Sequence, residues 1–355
     1  MGIGFLRALA ALLSTYAFIA GTSARAGNHD LPAGVTAQEV RMPSESGVML
    51  AGTLLTPQES ETRPLPVVVL VGGTGAYPRG SPFAMDIQTR LLAHGIATVE
   101  YDKRGAGQST GAFADTLPVM ERDVEAVIRY LRGRSDLDAA RVALIGVSQG
   151  GVAVPAIASR DPHIAAITML SGPVGPRGEL FLGIMRANLN RSGKSKDMVD
   201  RIMAATGQWM EARSRGDTVE GNATLREGVV RSFVTAGFTH EQAEGMVAAL
   251  DTPVLLSMYE VAPDQALANV RAPVLAIYGG RDSTISSALS VPAAQAALAD
   301  NPDSLVVEIP GADHTFRHVE PDQAEAPREQ PISPLVGELI ETWLAARLHA
   351  QRSRP

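Results

Sequence analysis

The 355-residue chain contains no cysteine, which excludes disulfides, thiolate metal sites and a lipid anchored on a cysteine. An apolar core must therefore hold it together, and a chain of this length can bury one. No run of lysine and arginine is present and the formal charge is −7, so a phosphate backbone is not an expected partner. Beyond the first twenty residues no apolar segment is long enough to span a membrane, and there are no internal repeats. Nothing in the pattern calls for a metal or a cofactor.

The N-terminus has the composition of an export signal. Arg7 precedes an apolar stretch from Ala8 to Ala20, and Ala24-Arg25-Ala26 offers a small-residue cleavage site. Residues 1–26 are expected to be a cleaved signal peptide, making the protein periplasmic or secreted, without stable membrane insertion afterwards. Residues 27–62 alternate polar and apolar side chains around Pro43-Ser44-Glu45-Ser46-Gly47, as an antiparallel edge ribbon would. LPVVVLVGG (65–73) reads as a central strand buried on both faces. Helical and strand-like stretches then alternate through 83–95, 96–102, 118–134, 141–147 and 164–173, which implies a mostly parallel sheet with helices on both faces.

That rhythm stops at Gly172-Pro173. From about Glu179 to Pro263 the chain is helical and methionine-rich, with Met198, Ile202, Ala205 and Trp209 on one stripe and Val199, Met203 and Met210 beside it. The expected organisation is a core from 27–178 and 264–355, interrupted by a helical cap at 179–263. The strand–helix pattern resumes at 271–285 and 304–316, and a final amphipathic helix runs from Leu335 to Leu348.

Gly146-Val147-Ser148-Gln149-Gly150 lies between an apolar strand and a helix-compatible stretch, the context in which G-x-S-x-G forms a sharp turn presenting its serine. Asp282 follows a strand and a Gly-Gly turn, and His314 follows a strand and a Pro-Gly turn. Serine, aspartate and histidine thus occur in triad order, each just past the C-terminal end of a strand, where open α/β sheets bind ligands. A serine hydroxyl needs a neighbouring base, His314 is the candidate, and Asp282 would fix its tautomer. His318 lies farther into the loop, and Asp313 is read as a loop carboxylate.

Together GGTG (72–75), YDKRGAGQSTG (101–111), GVSQGG (146–151), GGRD (279–282) and GADHTF (311–316) resemble the α/β-hydrolase superfamily, in particular bacterial serine esterases with a helical cap. The resemblance implies hydrolysis of a carboxylic ester with a small to medium apolar acyl group through an acyl-enzyme. Relatives usually end the first central strand in His-Gly, whereas this chain has Gly72-Gly73, which bears on the shape of the oxyanion loop.

The expected oxyanion donors are the main-chain N–H groups of Thr74 and Gln149. Tyr77, Met203 and Trp209 are the expected substrate contacts, with Arg79 also near the pocket. The charged turn Asp102-Lys103-Arg104 is read as structural, paired beneath the active-site floor. The partner is a small-molecule ester. A peptidase holding a substrate amino terminus with Glu211, Asp217, Glu220 and Glu241 is the alternative enzyme, and a non-catalytic binding protein is the alternative of another class. Cleavage after Ala26 predicts that N-terminal sequencing of exported material starts at Gly27; membrane-bound material starting at Met1 would contradict it.

Overall fold

The structure, a computed structural model, describes residues 31–350 apart from 61–62, 77–78, 321–322, 324–325 and 328–329. The expected signal peptide and Tyr77 therefore lie outside the described residues. The chain divides into two compact units, one spanning Gly175–Pro263 and the other formed by the described residues on either side.

The larger unit is built on an eight-stranded sheet. Its strands are β1 (Val35–Pro43), β2 (Met49–Pro57), β3 (Leu65–Val71), β4 (Ala97–Tyr101), β5 (Leu137–Val147), β6 (Ile164–Leu170), β7 (Val274–Gly279) and β8 (Ser304–Ile309). They lie in the order β1-β2-β4-β3-β5-β6-β7-β8. β1 and β2 form an antiparallel ribbon, β2 joins β4 antiparallel, and every other pairing is parallel. Every residue of β3 and of β6 is buried, which requires cover on both faces and explains their unbroken apolar runs.

Helices α1 (Pro82–Ala93) and α9 (Pro334–Ala350) supply cover for one face: Ile87 and Leu91 with Val336, Ile340 and Leu344 pack over Val68, Leu70, Ile145 and Ile277. Helices α2 (Leu117–Arg132) and α3 (Gln149–Arg160) pack on each other and on β5. Local rules set the boundaries. Ser81 caps α1 by accepting from Ala84 N–H, with Pro82 in the first turn, where its missing N–H costs nothing.

The smaller unit holds α4 (Glu179–Arg191), α5 (Lys196–Ser214), α6 (Ala223–Thr235), α7 (His240–Leu250) and α8 (Pro253–Glu260). Ser195, Thr239 and Thr252 start α5, α7 and α8 with side-chain caps, and Thr239 with Gln242 completes a capping box. The buried face of α5 is Val199, Ile202, Met203, Thr206, Trp209 and Met210, whereas Met198 is exposed. The expected stripe is thus rotated by about one position. α5 packs against three helices, α4, α6 and α8, so the face it buries is broader than a single row and includes Thr206.

The turn from β5 into α3 is packed main chain against main chain. A Cβ built on Gly146 would lie 2.2 Å from the Gly150 carbonyl oxygen, and one on Gly150 would lie 2.3 Å from that of Val71. Both obstacles are main chain and cannot rotate away. Gly150→Ala is therefore expected to cost about 3 kcal/mol or more in urea denaturation. Gly245→Ala, at an α7 position with nothing within 4 Å, should instead stabilise by about 0.5–1 kcal/mol. Similar effects at the two positions would contradict this packing.

Candidate active site

Ser148 sits between β5 and α3 with φ 53° and ψ −114°, a strained backbone for any residue carrying a Cβ. Its N–H donates to the Leu170 carbonyl at 2.8 Å, tying the turn to the end of β6. The next residue, Ser171, also has positive φ, and its hydroxyl donates to the His314 carbonyl at 3.1 Å. Consecutive residues of β6 and its exit therefore hold the serine turn on one side and the histidine loop on the other.

Asp282 and His314 are brought together directly, with His314 Nδ1 2.7 Å from Asp282 Oδ2. The carboxylate is buried, and its other oxygen accepts from the N–H groups of Thr284 and Ile285 at 2.7 and 2.8 Å. Those two donors fix the carboxylate plane, and the aspartate in turn fixes the imidazole, leaving Nε2 as its free nitrogen. The two loops are pressed together: a Cβ on Gly279 would lie 2.3 Å from the Asp313 carbonyl oxygen. Asp313 itself caps its loop, accepting from Thr315 N–H and Arg317 N–H at 2.8 and 2.9 Å. His318 is exposed, its Nε2 3.7 Å from Glu320.

The turn after β3 lies against the serine, since a Cβ on Gly73 would be 3.2 Å from Ser148 Cβ and 3.8 Å from its Oγ. Thr74 and Gln149 are the residues that follow these two in sequence. The turn is held from outside. Lys103 Nζ donates to the Gly73 carbonyl at 2.5 Å and pairs with Asp115, whose other oxygen accepts from Gly75 N–H at 2.6 Å. Burial pushes the Lys103 ammonium below its ordinary pKa and the Asp115 carboxyl above its own, and each charge opposes the shift of the other.

The neighbouring charges do other work. Asp102 closes its own turn by accepting from Gln108 N–H at 2.9 Å, and Arg104 is bidentate to Asp123 at 2.6 and 2.8 Å. Arg79 is buried and paired with Glu39 at 2.6 Å. Among the described residues no cluster of three or more His, Asp or Glu side chains could hold a metal ion, and no helix is long and apolar enough to cross a membrane.

A family model described as "Alpha/beta hydrolase family" matches residues 68–326. The chain belongs to the alpha/beta hydrolase family. A 31.7 kDa Escherichia coli protein of the traX-finO intergenic region is 24% identical over 201 residues, covering 53% of this chain and 63% of its own. A Mycobacterium phage D29 protein, named as a candidate non-heme haloperoxidase, is 28% identical over 176 residues, covering 49% and 60%. The chain thus spans about three fifths of the length of these relatives. Among solved structures, the Butyrivibrio proteoclasticus Est1E bound to ferulic acid aligns with TM-score 0.52 and 17% identity over 87% of this chain and 99% of that one. The Pyrococcus furiosus esterase Pf2001 aligns with TM-score 0.50 and 16% identity over 79% and 82%. These two likenesses speak to the fold.

In this alpha/beta hydrolase, Ser148, Asp282 and His314 all lie past the C-terminal ends of strands β5, β7 and β8 of one sheet. Met203 and Trp209 belong to the helical unit. Met203 lines a cavity of about 280 Å³ with Glu179, Leu182, Arg186, Asp200 and Ala204. Trp209 is fully enclosed, so any influence on a ligand would pass through packing. Of the acids considered for an amino-terminus site, Glu211 is bonded to Arg177 at 2.8 Å and Asp217 lies 3.7 Å from Arg215, while Glu220 and Glu241 are exposed. Sequence reasoning missed Asp115 and Ser171. Only a strand-end Ser-Gly-Pro hinted at Ser171, and nothing local to Asp115 distinguishes it.

Proposed function

We propose that the protein is a serine carboxylic-ester hydrolase working through an acyl-enzyme on Ser148. The observation that carries the reading is the presence, at one sheet edge, of a strained, strand-end serine and a half-buried His314 bonded to the buried Asp282. A binding protein has no use for a serine held in a backbone that costs about 1–3 kcal/mol. That a solved structure of the fold is named as an esterase agrees with it.

In this reading His314 Nε2 takes the Ser148 hydroxyl proton as Oγ attacks the acyl carbon, and the carbonyl electron pair moves onto oxygen. The Thr74 and Gln149 N–H groups receive that oxyanion. As the intermediate collapses the C–O bond to the alcohol breaks, and His314 returns the proton to the departing alkoxide. A water molecule, deprotonated by the same nitrogen, then attacks the acyl carbon; the bond to Ser148 Oγ breaks, His314 returns the proton to Oγ, and the carboxylic acid leaves. Asp282 stays ionised and stabilises the imidazolium while holding its tautomer.

The substrate is a small to medium ester with an apolar acyl group. Met203 and Trp209 are proposed to tune acyl-chain preference, and Tyr77 to contact substrate. The signal-like residues 1–26 support export of the enzyme. The acids of the helical unit are either committed to arginines or exposed, which does not favour the peptidase reading.

Ser148→Ala should lower kcat on p-nitrophenyl esters by several orders of magnitude, with substrate binding and folding largely retained. Wild-type protein should turn over those esters well and aminoacyl anilides poorly. Retained turnover in the variant would contradict the nucleophile, and preference for the anilides would favour a peptidase.

A further inference from the structure

We propose that the buried Lys103–Asp115 pair is a positioning clamp that aims both oxyanion donors, Thr74 N–H and Gln149 N–H, at the reacting carbonyl oxygen. The inference rests on the acyl-enzyme reading above and adds to it the device that makes the anion site.

The segment Gly72-Gly73-Thr74-Gly75 cannot hold its own shape. Three of its four residues are glycine, each free to adopt many backbone conformations, and Gly75 sits at φ 110°. An oxyanion site works only when its dipoles are fixed before the charge develops, so the conformation has to be imposed from outside. The Lys103–Asp115 pair does this from both sides of Thr74. Lys103 Nζ fixes the Gly73 carbonyl at 2.5 Å, and Asp115 Oδ2 fixes Gly75 N–H at 2.6 Å.

Peptide planarity converts the first contact into a direction. The Gly73–Thr74 peptide is trans, so the Thr74 N–H points opposite to the carbonyl that Lys103 holds. The second donor is tied to the same residue, because the Gln149 side-chain amide donates to the Asp115 carbonyl at 2.8 Å. Asp115 therefore touches the loop carrying one donor and the helix start carrying the other. Among the described residues, the main-chain N–H groups of Thr74 and Gln149 donate to no other group. Asp115 is buried and Lys103 largely so, which makes their contacts stiff where a solvated pair would be screened.

The test is kinetic and uses the full chain. Lys103→Met/Asp115→Leu removes the pair without stranding a buried charge. On a p-nitrophenyl ester its kcat should fall about 10²–10³-fold, as for loss of an oxyanion donor. KM should stay within about twofold. Affinity for a trifluoromethyl ketone, whose serine adduct carries the same oxyanion, should fall by the same factor as kcat. Lys103→Arg, which keeps a donor for the Gly73 carbonyl, should recover at least about a tenth of wild-type kcat.

If the double variant does not fold, Lys103→Met alone decides by the same two readings, since its aspartate can take up a proton. A folded variant with kcat within about threefold of wild type, or a kcat loss without loss of ketone affinity, overturns the clamp. Ser148→Ala run alongside separates the two claims. Turnover in that variant defeats the acyl-enzyme reading itself, whereas an inactive Ser148→Ala beside an active clamp variant defeats the clamp alone.

Discussion

The close approach of α3 to the ends of β3 and β5 is the constraint on which the rest of the site depends. Main-chain atoms meet there at distances that leave no room for a Cβ at Gly146 or Gly150, and the residue between, Ser148, is driven to φ 53°. A backbone of that kind survives only where surrounding packing over-determines it. Here the over-determination comes from β3 and β6, both buried along their whole length, and from the hydrogen bond of Ser148 N–H to Leu170. The apolar core thus stores local strain at one residue and presents that residue at the sheet edge.

The groups around the serine follow one design: each polar group near the chemistry is held by a second, buried one. Asp282 holds His314 and is itself held by two N–H groups of its own turn. Ser171 holds the His314 carbonyl from the neighbouring strand. Lys103 and Asp115 hold the glycine-rich turn after β3. A Gly72-Gly73 strand end, lacking the usual histidine, therefore does not leave the loop unsupported, because the support comes from the turn after β4 and from the segment before α2. Exposed ion pairs such as Lys196–Asp200 add little by comparison, since solvent and salt screen them.

Much of this could be read from the sequence, for reasons that differ by element. β3 and β6 were legible because a strand buried on both faces must be apolar throughout, and the G-x-S-x-G turn because its glycines answer a steric demand. Asp282 and His314 were legible from strand ends and chain order, which the topology converts into proximity. The face of α5 was misjudged by about one position: side-chain periodicity gives a helix its stripe, but three neighbouring helices decide how wide the buried side is. Asp115 was invisible because its role comes from contacts 12, 34 and 40 residues away in sequence, to Lys103, Gln149 and Gly75. No local pattern encodes such a convergence. The turn around Asp102 and Arg104 could be read as structural, yet the lysine between them carries the link to the site.

Ser148 as the activated nucleophile is the claim on which the proposed function rests. A fluorophosphonate probe reacts with a serine that a neighbouring base activates and whose adduct an oxyanion site can hold, so the labelled residue reports the whole arrangement. Peptide mapping of the labelled protein by mass spectrometry should find a single adduct, on the peptide containing Ser148, and none in Ser148→Ala. An unlabelled protein, or an adduct on another serine with Ser148 unmodified, would contradict the account.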